Sequence, residues 1–403
     1  MWPFKREKRS ALDTANVPLS AENIWRVFGL DQSKISVTPD TALSVPAVWA
    51  AVNFISNTVV SLPLQLYRRT DDGREKASSD PLYSLLHDLP NPEWTSHRWR
   101  KYTMTQTLTH GRSYTYIQRG GNGHVMGLWP MDPNRTTAKR AGLKTVYEYR
   151  EGADTLKTYE SSEVIDIPFM LSSDQVTHVK PTERLRGAVA LAIALQRYAE
   201  QFFSGGGVPP LSLEGPFNSP EAVTRASKDV TDAIRNAVEN GRLVLPMPMG
   251  HSMKQIGFNP EQGQLVEARR FSLEEIARVY NLSPIFLQDL SHGTFANTEQ
   301  QDLHVIKHTI SHWLNEIEQE INAKLFGRNR TRYVEFNVDG LLRGDFGTRM
   351  EGYAKGIQNS ILTPNEVRQK ENNPPMDGGD QLFLQQNMSE LQSLQGRSIE
   401  GER

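Results

Sequence analysis

Residues 264–326 read QLVEARRFSLEEIARVYNLSPIFLQDLSHGTFANTEQQDLHVIKHTISHWLNEIEQEINAKLF and predict a helix, a loop and a second helix. Apolar residues recur at helical spacing over residues 265–280. Residues 303–321 carry an apolar stripe close to a heptad repeat. Between them Pro284 and Gly293 break the helical pattern. Two helices around such a loop are compatible with a scaffold, a lid or part of a pore.

An insert precedes this stretch and is bracketed by two long helices. Residues 187–207, GAVALAIALQRYAEQFFSGGG, predict an alanine-rich helix that ends at three glycines. Residues 208–258 then predict a strand, a helix that begins near Pro220, and a returning strand in RLVLPMP. The helix of residues 264–281 follows directly. An insert carried on two helices is the main architectural feature of the sequence.

The remaining segments predict a mixture of helices and antiparallel strands. An amphipathic helix near residues 44–61 runs into the alternating strand LPLQLYRR. Residues 111–170 contain short strands and the turn RGGNG, which predict a small antiparallel sheet. Residues 345–372 are mainly helical in pattern, and the tail beyond them is rich in Gln, Gly and Ser. The fold class predicted for the chain is α+β.

Composition limits the classes of function. The chain has 403 residues, enough for two to four compact units, with 37% hydrophobic and 23% charged residues. Its formal net charge of −2 argues against a duplex-DNA clamp, because such proteins gain affinity from many Lys and Arg contacts to phosphates. The chain contains no cysteine, which excludes disulfides, thiolate nucleophiles and Cys-ligated zinc.

No segment predicts a membrane span or a secretion signal. Residues 45–67 are long and uncharged, but they contain Asn53, Ser56 and Asn57 opposite an apolar helical face. A buried amphipathic helix explains this pattern better than a membrane-spanning helix. The N-terminus MWPFKREKRS is basic, and no apolar signal region follows it.

Motifs of catalysis are absent from the sequence. It contains no GxxxxGK[ST] phosphate loop, no GxSxG elbow and no HExxH zinc motif. His304, His308 and His312 are spaced by four along one predicted helix, but no acid is placed by sequence to complete a metal site. The prediction is therefore a protein that is not an enzyme and has no metal site and no cofactor.

The chain resembles the portal protein of tailed bacteriophages, in the HK-type family of long-tailed phages and prophages. The resemblance covers roughly residues 40–385, and the order and spacing of several segments carry it. These segments are AVWAAVNFISNTVVSLPLQLYRR (47–69), GLWPMDPNR (127–135), RLRGAVALAIALQRYAEQFFSGGGVP (184–209), RRFSLEEIARVYNLSPIFL (269–287), NTEQQ (297–301), and FNVDGLLRGDFGTRMEGYAKGIQNSILTPNEVRQKENNPPMDGGDQLF (336–383).

The resemblance implies the α+β portal fold of a subunit that forms a ring, usually of twelve copies. Such subunits have a wing, a stem of two helices, an α/β clip between those helices, a tunnel loop and a crown. The implied boundaries are an N-terminal wing at 1–183, a first stem helix at 184–205, a clip at 206–260, a second stem helix at 261–283, a tunnel loop at 284–298, a C-terminal wing at 299–362, and a short crown and tail at 363–403.

The resemblance also implies the function and the partners. Double-stranded DNA would be pumped by the terminase through the ring channel at one capsid vertex, and would later leave by the same route. The implied partners are further copies of this chain, sliding DNA, the terminase large subunit, a head–tail adaptor, and the major capsid protein or a scaffold, with no membrane. The protein would lie in the virion, and in the host cytoplasm during assembly.

Two sets of site residues follow as expectations. The loop residues expected to meet DNA are Gln288, Asp289, His292, Thr294, Phe295 and Asn297. A closed ring needs heterologous interfaces, and the stem residues expected there are Ala188, Ala190, Leu191, Ala194, Leu195 and Tyr198. The alternatives are a minor capsid protein without a channel and, more remotely, a metal-dependent DNA-processing enzyme.

Overall fold

A computed structural model describes residues 35–71, 73–152, 155–204, 211–217, 219–240, 250–255, 262–289, 301, 304–328, 331–338, 346–371 and 373–383. These residues form two compact units, which divide between Phe336 and Asn337. Helices and small antiparallel sheets together give the predicted α+β fold. The helices of the first unit are α1 (Pro39–Leu43), α2 (Pro46–Ser61), α3 (Pro81–His87), α4 (Ser96–His110), α5 (Pro181–Arg184), α6 (Arg186–Ser204), α7 (Pro220–Glu239), α8 (Gln262–Val279) and α9 (Ser311–Leu325).

The strands that the structure describes in the first unit form four antiparallel sheets. Three of these sheets have three strands, in the orders β11–β1–β2, β4–β3–β8 and β5–β6–β7, and the fourth pairs β10 with β9. The strands are β1 (Leu64–Thr70), β2 (Gly73–Lys76), β3 (Arg112–Arg119), β4 (Val125–Met131), β5 (Thr136–Ala141), β6 (Lys144–Glu151), β7 (Thr155–Glu160), β8 (Val164–Pro168), β9 (Leu211–Glu214), β10 (Ser252–Gln255) and β11 (Arg332–Phe336).

Helix α2 is the amphipathic helix predicted near residues 44–61. It begins at Pro46, where a missing backbone N–H costs no helical hydrogen bond. Its predicted apolar face, which includes Val48 and Ile55, is buried. Ser56 differs from the prediction because it is buried too, with its hydroxyl 3.5 Å from that of Thr105 in α4. The solvent-exposed polar face of α2 is therefore narrower than predicted, because Ser56 packs against α4.

Residues 111–170 form two sheets where the sequence predicted one. The hairpin around RGGNG is confirmed, because β3 and β4 pair antiparallel across it. After β4, a short 3-10 turn at Pro133–Arg135 interrupts the strand pattern. Proline lacks the N–H that a continuous ladder needs, and the chain starts a second sheet at Thr136.

A buried ion pair joins strands β3 and β8. Arg112 Nε donates to Asp166 Oδ1 over 2.6 Å, and Arg112 Nη2 donates to Asp166 Oδ2, so the contact is bidentate. Tyr147 of the second sheet donates its hydroxyl to Asp166 Oδ2 over 2.6 Å. The backbone N–H of Asp166 donates to Glu320 Oε1 of α9 over 3.0 Å. Asp166 therefore connects two sheets through its carboxylate and a helix through its backbone N–H.

Burial changes the protonation of this network. Burial, followed by the charge of Asp166, raises the pKa of the Tyr147 hydroxyl above its ordinary value. Burial lowers the pKa of the Arg112 guanidinium, but the hydrogen bonds and charge of Asp166 outweigh it and raise the net value. Burial also raises the pKa of Glu320. The Tyr147 hydroxyl therefore stays a neutral donor beside the Arg112–Asp166 pair.

The second unit contains helices α10 (Phe346–Gln358) and α11 (Pro364–Lys370). Thr363 caps the N-terminus of helix α11: its side chain accepts from the backbone N–H of Glu366, and the Glu366 carboxylate accepts from the backbone N–H of Thr363. The side chain of Asn365 donates to the Met376 carbonyl and to Asp380 Oδ1 over 3.0 and 2.9 Å. These bonds hold the segment after α11 against its first turn.

Among the described parts of the chain, no helix combines the length and the apolar character needed to cross a membrane.

Candidate functional site

Helices α6 and α8 pack side by side and frame the insert. Leu191 and Leu195 of α6 form a buried cluster with Ala268 of α8. The Ser272 hydroxyl donates to the Ala188 carbonyl over 2.9 Å. This bond joins the start of α6 to the second half of α8. The two helices are therefore antiparallel. The two helices therefore bring both ends of the insert to the same end of the pair.

The side chains predicted for the subunit interface mostly contact their own chain. Ala190, Leu191, Ala194 and Leu195 are buried, whereas Ala188 and Tyr198 are half-buried. Leu191 and Leu195 face α8, and Ala190 and Ala194 pack against Ile35. The four buried side chains leave little surface for a second copy. A role of these six residues in a subunit interface stays a prediction, and Ala188 and Tyr198 are the two with partly exposed side chains.

The insert has little core of its own in the part that the structure describes. Strands β9 and β10 form a two-stranded sheet with Lys254 and Glu214 paired at 2.6 Å. Helix α7 is confirmed where the sequence predicted it, but none of its described side chains is buried. The predicted strand in RLVLPMP lies outside the described residues. An isolated two-stranded sheet is marginally stable in water, so the described part of the insert has too little core to be stable by itself.

The segment after α8 is anchored before it reaches the predicted DNA-contacting loop. Tyr280 donates its hydroxyl to the Leu108 carbonyl over 3.0 Å, and burial raises the pKa of that hydroxyl. Residues Pro284–Leu287 form a 3-10 turn, in which the ring of Phe286 lies 4.8 Å from that of Phe54 in α2. The loop therefore starts from a fixed point on the core.

Two of the six predicted DNA-contacting residues lie in the described part of the loop. Gln288 is exposed and adopts the left-handed conformation at φ 66°. Asp289 is half-buried, and its carboxylate lies 3.8 Å from Nε of Arg270 in α8. The other four, His292, Thr294, Phe295 and Asn297, lie outside the described residues. Their contact with DNA stays a prediction, as does that of Gln288 and Asp289.

A π turn at Ile306–Ile310 interrupts the helix that returns from the loop. The sequence predicted an unbroken helix here. The side-chain amide of Asn281 donates to the His308 carbonyl over 3.0 Å, and the Thr309 hydroxyl donates to the Asn281 carbonyl over 2.6 Å. Asn281 itself is left-handed at φ 53°. The residue pair after α8 and the π turn before α9 are therefore hydrogen-bonded together through Asn281.

We expect Asn281→Gly to lower the free energy of unfolding by about 1 kcal/mol, because glycine keeps the left-handed backbone but removes the amide that bonds His308. Urea unfolding followed by far-UV circular dichroism measures this. The matched control is Gln175→Gly, since Gln175 is exposed and has φ 62°. Equal stability of the Asn281 variant and the parent protein would contradict a structural role for this amide.

The histidine spacing does not produce a metal site in the described ranges. The rings of His304 and His308 lie 4.5 Å apart, and His312 stacks edge-on to Trp313. No group of three His, Asp or Glu side chains comes together there in a way that could hold an ion. The π turn also breaks the regular helical spacing between His304 and His312.

The sequence is similar to those of known phage portal proteins. The family model described as "Phage portal protein" matches residues 46–372. The chain is 28% identical to the probable portal protein of Streptomyces phage phiC31, over 89% of this chain and 80% of that protein. It is also 28% identical to the portal protein of Enterobacteria phage HK97, over 87% of this chain and 84% of that protein.

Solved structures share the fold at low sequence identity. The crystal structure of an HK97-family phage portal protein from Corynebacterium diphtheriae has a TM-score of 0.57 at 18% identity, over 75% of this chain and 95% of that one. A chain from the neck of a native gene transfer agent particle, computed with C12 symmetry, has a TM-score of 0.56 at 15% identity, over 88% of this chain and 93% of that one. The chain therefore belongs to the phage portal protein family, in its HK97-type branch.

Proposed function

We propose that this portal protein forms a ring, of twelve copies as in the usual portal, whose central channel passes double-stranded DNA into the capsid and later out of it. The observation that carries the proposal is the antiparallel α6–α8 pair, which brackets an insert and leads directly into the anchored loop after Tyr280. A neck structure with twelvefold symmetry shares the fold of this chain. A helix pair with a loop at its inner end is an arrangement suited to lining a passage.

The parts of the subunit follow the boundaries expected from sequence. Residues 184–205 and 261–283, which contain α6 and α8, would be the stem, and residues 206–260 the clip. Residues 284–298 would be the tunnel loop. The N-terminal wing at 1–183 and the C-terminal wing at 299–362 would surround them, and residues 363–403 would give the short crown.

Neighbouring copies would complete the clip. In the described part of the insert, the apolar side chain of Val223 in α7 is 46% exposed, and strands β9 and β10 form a two-stranded sheet. An apolar helical face and free strand edges both gain stability when another copy covers them. Packing of clips around the ring supplies that cover. The clip would then fold fully only in the assembled ring.

The channel would guide DNA without holding it. Each phosphate contact from Lys or Arg adds affinity that depends on salt, and many such contacts would stop sliding. The chain has a formal net charge of −2. At the described start of the loop, the Arg270 guanidinium lies beside the Asp289 carboxylate, which offsets its attraction for a DNA phosphate. We infer that the tunnel loop contacts DNA through polar and aromatic side chains.

The partners follow from this role. A capsid-vertex ring that passes DNA would dock the terminase large subunit during packaging and a head–tail adaptor afterwards, and it would contact the major capsid protein or a scaffold. The subunit would act as a structural element and not as an enzyme, located in the virion and, during assembly, in the host cytoplasm. A minor capsid protein without a channel is the alternative, and it would give no rings in native mass spectrometry.

Deletion of residues 290–296 tests the role of the tunnel loop. We expect rings of the same copy number by native mass spectrometry, because the anchors at Tyr280 and Phe286 precede the deletion. We expect a large loss of packaged or retained DNA, measured as nuclease-protected genomes per particle. The control is a substitution of residues 290–296 by a Gly/Ser segment of equal length, which preserves the connection and removes the side chains. Unchanged DNA content in the deletion variant would overturn the assignment.

A further inference from the structure

One face of the α6–α8 pair is an apolar groove that no described residue fills. Its volume is 780 Å³, and its walls include Pro46, Ala192, Ala199, Leu265, Leu273 and Ile276. Polar residues lie at its edge, among them Glu200 and Arg269. Trp49, one helical turn beyond Pro46, is 57% exposed. An apolar surface with a polar rim of this kind is typical of a docking site.

The opposite face of α6 packs against Ile35, the first residue that the structure describes. Ile35 is buried against Ala190 and Ala194 of α6. At about 100° per residue, Ala190 and Ala194 each point about 160° away from Ala192. Ile35 therefore contacts α6 on the side away from the groove.

The sequence that precedes Ile35 has the chemistry of an occupant for the groove. Residues 21–30 read AENIWRVFGL and carry five large apolar side chains: Ile24, Trp25, Val27, Phe28 and Leu30. The same segment carries Glu22 and Arg26, which can pair with Arg269 and Glu200 at the groove edge. Both the apolar content and the two charges of the segment thus match the groove.

Chain length favours a neighbouring copy as the source of the segment. The five residues from Leu30 to Ile35 span at most about 17 Å. Half the circumference of a helix about 10–12 Å wide is about 16–19 Å. Leu30 would reach the groove of its own chain only if the connection to Ile35 were fully extended, which is costly in conformational entropy. In a closed ring, however, opposite faces of neighbouring copies meet.

We propose that residues 21–30 of each copy dock in the α6–α8 groove of the next copy around the ring. This inference rests on the proposed ring and adds to it a named interface. The occupant is a second copy of this chain, and its N-terminal segment links adjacent stems. The face of α6 used is the one that carries Ala192 and Ala199, not the one that the sequence predicted.

Disulfide trapping tests the proposal in a chain that contains no cysteine. Full-length copies carrying Phe28→Cys alone are mixed before assembly with copies carrying Ala192→Cys alone, and are then mildly oxidised. We expect covalent dimers on non-reducing gels, at least tenfold more than when Lys228→Cys, on exposed α7, replaces Ala192→Cys. Trp25→Cys with Gln196→Cys, an exposed groove residue, is the second pair if Ala192→Cys fails to fold.

A chain that carries both cysteines separates the remaining outcomes. Docking between copies gives a ladder of covalent multimers, whereas docking within one chain gives a cross-linked monomer of altered mobility and overturns the proposal. Rings in native mass spectrometry without cross-links overturn the docking and leave the portal ring intact. Absence of rings in the parent protein overturns the proposed ring together with this interface.

Discussion

An Asp166→Asn variant will be less stable than the parent protein by about 3–5 kcal/mol, because removing one partner of a buried ion pair leaves the other charge buried without compensation. Arg112 and Asp166 have side chains only 3% and 9% exposed. The same carboxylate accepts a hydrogen bond from the Tyr147 hydroxyl. Asparagine keeps the shape of the residue and removes the charge, so the loss reports the ion pair rather than a cavity.

Chemical denaturation with urea at neutral pH measures this change, and Glu75→Gln provides its control. Glu75 lies 3.7 Å from Arg68 on the first sheet, where both side chains are about half exposed. The chemical change is the same, from carboxylate to amide, but an exposed pair contributes about 0–1 kcal/mol. Equal losses in the two variants would contradict the importance of burial at Asp166.

The ion pair also bears on the portal role of the chain. The Asp166 backbone is bonded to Glu320 of α9, and Lys324 of the same helix donates to the Ser161 carbonyl over 2.5 Å. Helix α9 follows the loop proposed to line the channel. A loosened sheet would therefore release the helix that supports that loop, and we expect Asp166→Asn to lower the yield of rings as well as the stability.

A Gly111→Ala variant will also be strongly destabilised, by more than about 2 kcal/mol in total. Gly111 ends α4 at φ 82°, a left-handed conformation that costs a residue with Cβ about 1–2 kcal/mol. The new Cβ would lie 2.5 Å from the Val179 carbonyl oxygen and 2.9 Å from Cα of Lys180. These are backbone atoms, so the clash cannot be relieved by a side-chain rotation. Such overpacking adds about 1–3 kcal/mol.

Gly123→Ala separates the two contributions in the same urea experiment. Gly123 has φ 79°, close to that of Gly111, but a Cβ there would meet nothing within 4 Å. We expect the Gly123 variant to show the backbone cost alone and the Gly111 variant to exceed it by the steric cost. A Gly111 variant no less stable than the Gly123 variant would show that the segment at Val179 moves without cost.

Local patterns in the sequence determined most helices and several strands. Residues 46–61, 186–204 and 220–239 are helical as predicted, because a 3.6-residue apolar period and proline at a first turn act within a few residues. The segments that resemble portal proteins, such as residues 269–287, also sufficed to indicate the family. Both kinds of signal are carried by the order of residues along the chain.

Only the tertiary structure decided what the apolar faces of these helices and strands contact. Strand β1 pairs with β11, so Leu64 lies opposite Phe336, which is the last residue of the first unit in sequence. The side chains of Leu191 and Ala194 pack within the chain, and the open groove lies on another face of the helix. Apolar periodicity predicts only that one face of an element is buried. It does not predict the contacting partner, because burial against the same chain and burial against a second copy remove the same apolar area from water. Only the arrangement of the elements in space distinguishes these two kinds of burial.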